Sequence, residues 1–200
     1  MKVKSWKKSN NVRRLHDFMA MGLVNSFDVA IDGGASIGAW AYGMAKYFQR
    51  VIAFEPTPET FAHLAHNTKN IENIECRNQA LMNTFGFISM KAPIGNPAMK
   101  ARYVDWDDGG RVQAITIDSL NLSSCGLIKL DVEGAEPLAL DGAAETIARF
   151  HPALVIEIAF SARFGIEPEA VHQKVLDMGY RESFRDAQDR FYVYGKEPPQ

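Results

Sequence analysis

The stretch from Phe27 to Pro56 constrains this chain more than any other. Phe27, Val29 and Ile31 lead into Asp32, and the turn Gly33-Gly34-Ala35-Ser36-Ile37-Gly38 follows at once. Ala39 to Phe48 then reads as a helix, and Val51-Ile52-Ala53-Phe54 as a second apolar strand that stops at Glu55-Pro56. Two apolar strands joined through a glycine-rich turn and a helix make a β-α-β unit, and each of these strands ends in a carboxylate.

The two carboxylates select the kind of ligand. In a dinucleotide site the first strand runs into G-x-G-x-x-G and a pyrophosphate rests on the helix N-terminus. Asp32, directly before the turn, would repel that anion, and only Gly34 and Gly38 could serve as motif glycines, at the wrong spacing. S-adenosyl-L-methionine (SAM) carries a cationic sulfonium and a cationic ammonium, so for that ligand Asp32 is an asset. Gly34, Ala35 and Gly38 then form the cofactor turn, where small residues let the backbone come close. Glu55, at the tip of the second strand, is suited to accept the ribose hydroxyl protons.

Two hundred residues suit one domain with a sheet buried on both faces. A formal net charge of −2 exerts no overall pull toward nucleic acid or anionic membrane. Cys76 and Cys125 are too few for a disulfide framework and are expected to be reduced and buried. There is no apolar run of membrane-spanning length and no signal-peptide pattern at the basic N-terminus, so a cytoplasmic enzyme is expected.

Residues 1–26 hold six lysines and arginines against the single acid Asp17, with Val12, Leu15, Phe18 and Met19 at helical spacing. They read as a basic helical segment that covers the sheet, the alternative being a patch for an anionic substrate. Thr57 to Thr68 forms a helix, with Thr57 as N-cap and Pro58 in the first turn. His63 and His66 on it read as surface histidines, since no third metal ligand lies nearby. Ile74 to Arg77 is a third strand, and Gln79 and Ala80 beyond it are candidates for holding the adenine edge. Met82 to Val112 lacks helical period and reads as a long loop in which Arg102 and Trp106 face the acceptor. Asp105, Asp107 and Asp108 resemble a calcium loop only in composition and read as a solvated turn. Gly126 to Leu130 is a buried fourth strand stopping at Asp131, and Ala153 to Ile156 a fifth finishing at Glu157. A helix from Pro168 to Met178 and a closing antiparallel pair, Tyr180–Phe184 with Arg190–Tyr194, complete a single domain over 27–195, ahead of a disordered tail at 196–200.

Five strands alternating with helices mean a doubly wound sheet with ligands beyond the carboxyl ends of its strands. The segments DGGASIG (32–38), AFEPTPETFAHLAHN (53–67) and, above all, IKLDVEGAEPLALDG (128–142) resemble the FkbM family of class I SAM-dependent methyltransferases. The resemblance covers about Phe27 to Ile158; Gly33 and Ser36 stand where a branched residue and an asparagine are common. It implies a Rossmann-like seven-stranded sheet with the last strand antiparallel, and O-methylation of hydroxyls on sugars, glycolipids or small metabolites.

A hydroxyl acceptor needs a base or a metal to take its proton as the new bond forms. Asp131 is the candidate base, with Glu133 and Glu136 following it and Lys129 suited to orient the acceptor or stabilise an alkoxide. Asp131 and Glu157, at neighbouring strand tips, could instead hold Mg²⁺. Glu133 or Glu136 could equally cap the next helix. The partner expected is a small-molecule or carbohydrate acceptor. A ribose-methylating nucleic-acid enzyme and a SAM-binding protein without transferase activity are the alternatives.

Overall fold

The computed structural model describes residues 10–91, 103–106, 111–186 and 188–195. The proposed tail at 196–200, Arg102, Asp107 and Asp108 lie outside the described residues, as does the side chain of Trp106. The opening unit folds as β1 (Val29–Gly33), α2 (Ala39–Met44) and β2 (Arg50–Phe54), preceded by α1 (Asn10–Ala20). Then come α3 (Pro58–Thr68), β3 (Ile74–Arg77), β4 (Gln79–Leu81), β5 (Gly86–Lys91), β6 (Tyr103–Trp106), β7 (Val112–Ile115) and β8 (Leu127–Leu130). Next come α4 (Glu136–Asp141), α5 (Ala144–Phe150), β9 (Ala153–Glu157), α6 (Pro168–Asp177), β10 (Tyr180–Asp186) and β11 (Asp189–Tyr194).

Seven strands form the main sheet in the order β10-β11-β9-β8-β1-β2-β3. β11 is inserted antiparallel between β9 and β10, and the remaining pairs are parallel. This is the mixed α/β, single-domain architecture of class I methyltransferases. Alternation along each strand sends its side chains to opposite faces. Val29, Ile31, Ile52, Ile128, Leu130 and Ile156 pack beneath α4, α5 and α6. Ala30, Val51, Ala53, Leu127 and Val155 pack beneath α1, α2 and α3. The amphipathic α1 buries Val12, Leu15, Phe18 and Met19, and Phe18 meets Phe191 of β11 with ring centroids 5.1 Å apart. Burial of a side chain of this size is worth about 1.5–3 kcal/mol, which is why a helix this rich in charge stays docked.

The long segment after the third strand differs from its expected loop. Four short strands form a second sheet, in the order β4-β7-β5-β6, whose core is Ala80, Met82, Ile88, Val112, Ala114 and Ala135. The run Gly86–Met90 therefore alternates because one of its faces is covered. Cys125 is buried as expected, whereas Cys76 is half-buried against Thr68. His63 and His66 are exposed on α3.

Candidate active site

β1 leaves the sheet through a turn whose shape is set by three left-handed residues, Gly34 (φ +73°), Ser36 (φ +51°) and Gly38 (φ +101°). Gly34 and Ala35 donate their N–H groups to the Phe54 carbonyl at 3.0 and 2.8 Å, tying the turn to the tip of β2. On the other side Asp131 N–H donates to the Gly33 carbonyl at 3.1 Å. A Cβ on Gly34 would lie 1.8 Å from the Asp131 carbonyl oxygen, so close packing against the end of β8 already requires glycine there.

Glu55 closes this turn from β2. Its Oε2 accepts from Ser36 N–H at 3.0 Å and its Oε1 from Thr57 N–H at 2.9 Å. Burial pushes its carboxyl pKa up, while those two N–H groups pull it back toward ionisation. The Thr57 side chain is a third donor, and a carboxylate has about four lone-pair sites, which leaves room for a further donor such as a ribose hydroxyl. Asn78, which the sequence did not single out, holds the same corner by donating to the Glu55 and Pro56 carbonyls at 2.8 and 3.0 Å.

Gln79 and Ala80 are not a plain end of the third strand. They open β4 of the second sheet, where Gln79 Nε2 donates to Gln113 Oε1 at 2.6 Å and Ala80 is buried.

Asp32 and Lys129 occupy the face beneath α1–α3, adjacent in the β1–β8 register. Asp32 is fully buried and Lys129 is 1% exposed. Lys129 Nζ donates to the carbonyls of Gly33 at 3.0 Å and Gly34 at 2.9 Å. It also lies 3.2 Å from Asp32 Oδ1 and 3.4 Å from Asp131 Oδ2. Burial alone would favour neutral Lys129, but the two carboxylates outweigh it and raise its pKa. Burial likewise raises the Asp32 pKa against the pull of Lys129. Two expectations change accordingly. Asp32 meets a protein cation rather than open space for a ligand, and Lys129 is sealed beneath the turn rather than facing an acceptor.

Asp131 is the member of this group that reaches the surface, with 34% of its side chain exposed. It is hydrogen-bonded to Glu157 of the neighbouring strand. Burial, the Asp131 charge and that hydrogen bond push the Glu157 pKa up, and Glu133 and Glu136 add to the effect. The two carboxyls therefore titrate as a pair that keeps a proton more readily than separate carboxylates would. Next along the sheet, Asp189 faces Glu157 in the β9–β11 register and is bonded by Arg14 Nη1 at 2.7 Å. Arg14 also reaches Asp186 at 2.7 Å, which commits this part of the basic segment to the fold. Neither Arg14 nor Asp189 is legible as a site neighbour from local pattern, because the contact spans most of the chain.

The turn after Asp131 is held by Glu136. Glu136 Oε1 accepts from Val132 N–H at 2.7 Å and Gly134 N–H at 3.2 Å, while the buried Oε2 has no hydrogen-bond partner. Burial pushes this pKa up to about 7. Glu133 is half-buried at the left-handed φ of +58° within the same turn. Among the described residues no group of three or more His, Cys, Asp or Glu is arranged to hold a metal ion. No described helix is long and apolar enough to cross a membrane.

The donor set suits a cationic ligand better than a phosphate. Glu55 and Asp131 flank the turn, and its nearest ammonium, Lys129, is buried. A family model described as the methyltransferase FkbM domain matches residues 32–182. A search of curated proteins finds no match. Among solved structures, the Methylobacillus flagellatus methyltransferase FkbM superposes with a TM-score of 0.60 at 20% identity, covering 92% of this chain. This chain spans 50% of that protein's length. The magnesium protoporphyrin IX methyltransferase of Synechocystis, solved with bound SAM, superposes with a TM-score of 0.52 at 11% identity, over 97% of this chain and 82% of that one.

Proposed function

The chain belongs to the FkbM methyltransferase family, and we propose that it transfers a methyl group from SAM to a hydroxyl of a sugar, glycolipid or small metabolite. SAM supplies an electrophilic methyl on a sulfonium when bound. Glu55 takes the ribose hydroxyls, and the turn at Gly34, Ala35 and Gly38 lets the backbone approach the ligand. Gln79 and Ala80, at the start of the second sheet, flank the adenine end. Asp32 supports the turn from beneath as the buried counter-ion of Lys129.

The observation that carries the hydroxyl reading is the Asp131–Glu157 pair. Positioning supplies most of the acceleration in an in-line displacement, but an alcohol must also lose its proton. Asp131 is the part-exposed carboxyl beside the turn, and it shares a hydrogen bond with Glu157 of the neighbouring strand. Asp131 thus takes the acceptor proton as the carbon–oxygen bond forms, and Glu133 borders the acceptor entrance. An amine acceptor that arrives neutral has no such need of a base.

The test compares Asp131→Asn with the wild type across a panel of sugar, glycolipid and polyol acceptors. Asparagine keeps the shape and removes the base, so SAM affinity should change little while turnover falls ~10²-fold or more. Unchanged turnover would remove Asp131 from the mechanism.

A further inference from the structure

Lys129 is a charged residue in the middle of the apolar strand Leu127–Leu130, and its ammonium never reaches solvent. A buried lysine has three protons to place and a charge to balance. Here two protons go to the carbonyls of Gly33 and Gly34, and the charge lies between Asp32 at 3.2 Å and Asp131 at 3.4 Å. Those four partners belong to different parts of the site. Gly33 and Gly34 begin the proposed cofactor turn, Asp131 is the proposed base, and Asp32 is compensated chiefly by Lys129, with a weaker contribution from the Ala41 N–H.

We propose that Lys129 is a positioning residue that locks the cofactor turn to the base-bearing tip of β8, with Asp32 serving as its buried counter-ion. The inference rests on reading that turn as the SAM cradle.

Alternative holds on this contact are few. The Asp131 N–H to Gly33 bond at 3.1 Å fixes the backbones at a single point. The Gly34 N–H is held by the Phe54 carbonyl at 3.0 Å, which ties the same peptide to β2 but leaves the Gly34 carbonyl and the Asp131 side chain to be placed. The ammonium places them by binding both successive carbonyls, which point down into the protein. Lys129 at the same time pulls the Asp131 side chain toward the turn. Asp32 adds nothing at the surface, yet without it the ammonium would be held only from one side.

Single removal of Lys129 leaves Asp32 buried with an unbalanced charge, so the Asp32→Asn/Lys129→Met double variant is the informative one. Affinity for S-adenosylhomocysteine, the demethylated product, is measured by calorimetry on the wild type and on the double variant, together with the melting temperature of each. The double variant is expected to stay folded and to bind ~10-fold more weakly or worse, because a loosened cradle must be ordered at each binding event. A folded double variant whose affinity lies within about twofold of wild type would overturn the inference. A wild type that does not bind the product would instead overturn the cofactor reading on which the inference rests.

Should the double variant not fold, the wild type decides the matter by nuclear magnetic resonance. The expected result is a slowly exchanging Lys129 ammonium signal with through-hydrogen-bond couplings to the Gly33 and Gly34 carbonyl carbons. An ammonium in fast exchange with water, without those couplings, would refute the arrangement.

Discussion

Glu136→Gln should make the protein lose less stability as pH rises. Glu136 is 1% exposed; Oε1 is bonded to two backbone N–H groups, while Oε2 has no partner. Burial pushes its pKa up to about 7 in the folded chain, against an ordinary value of 4.5. Below about pH 4.5 both states hold the proton and the group contributes nothing to the balance. Between the two values the unfolded chain releases its proton first, so rising pH favours unfolding, and the loss is complete above the folded value. At about 1.4 kcal/mol per pH unit the full effect is about 3 kcal/mol, of which about 2–3 kcal/mol develops between about pH 5 and about pH 8. Glutamine keeps an oxygen for the two N–H groups and carries no charge. Its unpartnered NH₂ has a fixed cost that cancels when the two pH values are compared. Urea unfolding of both proteins at both pH values gives this difference of differences directly. A stability gap between variant and wild type that is the same at both pH values would refute the reasoning.

Gly34→Ala places a methyl 1.8 Å from the Asp131 carbonyl on a left-handed residue. It should destabilise the fold by ~2–4 kcal/mol and abolish measurable S-adenosylhomocysteine binding, as read by urea unfolding and calorimetry. Arg14→Met leaves Asp186 and the buried Asp189 without their shared partner. It should cost ~1–3 kcal/mol and speed amide exchange in α1 and the β10–β11 hairpin before the rest of the sheet.

The β-α-β unit and the Asp131 turn are legible in the sequence because each is specified locally. Apolar runs end at Asp32, Glu55, Asp131 and Glu157, and glycines stand where the chain must turn. The second sheet is not legible in this way. β4 pairs with β7 across the intervening strands β5 and β6, and short strands with one covered face look like a polar loop until their partners are known. Lys129 in IKLD reads equally well as a solvent-facing group, since nothing local says that Asp32 of another strand stands beside it. The same non-local pairing explains Glu157: only adjacency of β8 and β9 brings it to Asp131. The seven-stranded order with β11 antiparallel came from the family resemblance rather than from strand patterns, because an antiparallel insertion leaves no mark on the strand itself.

A thermal-shift titration of the wild type with SAM, S-adenosylhomocysteine and NAD in parallel tests the proposed cofactor directly. A ligand at 100 times its Kd adds about 2.7 kcal/mol, which raises the Tm of a domain this size by about 5–10 °C. That rise is expected with the first two ligands and none with NAD. A shift with NAD alone, or with none of the three, would contradict the proposed cofactor.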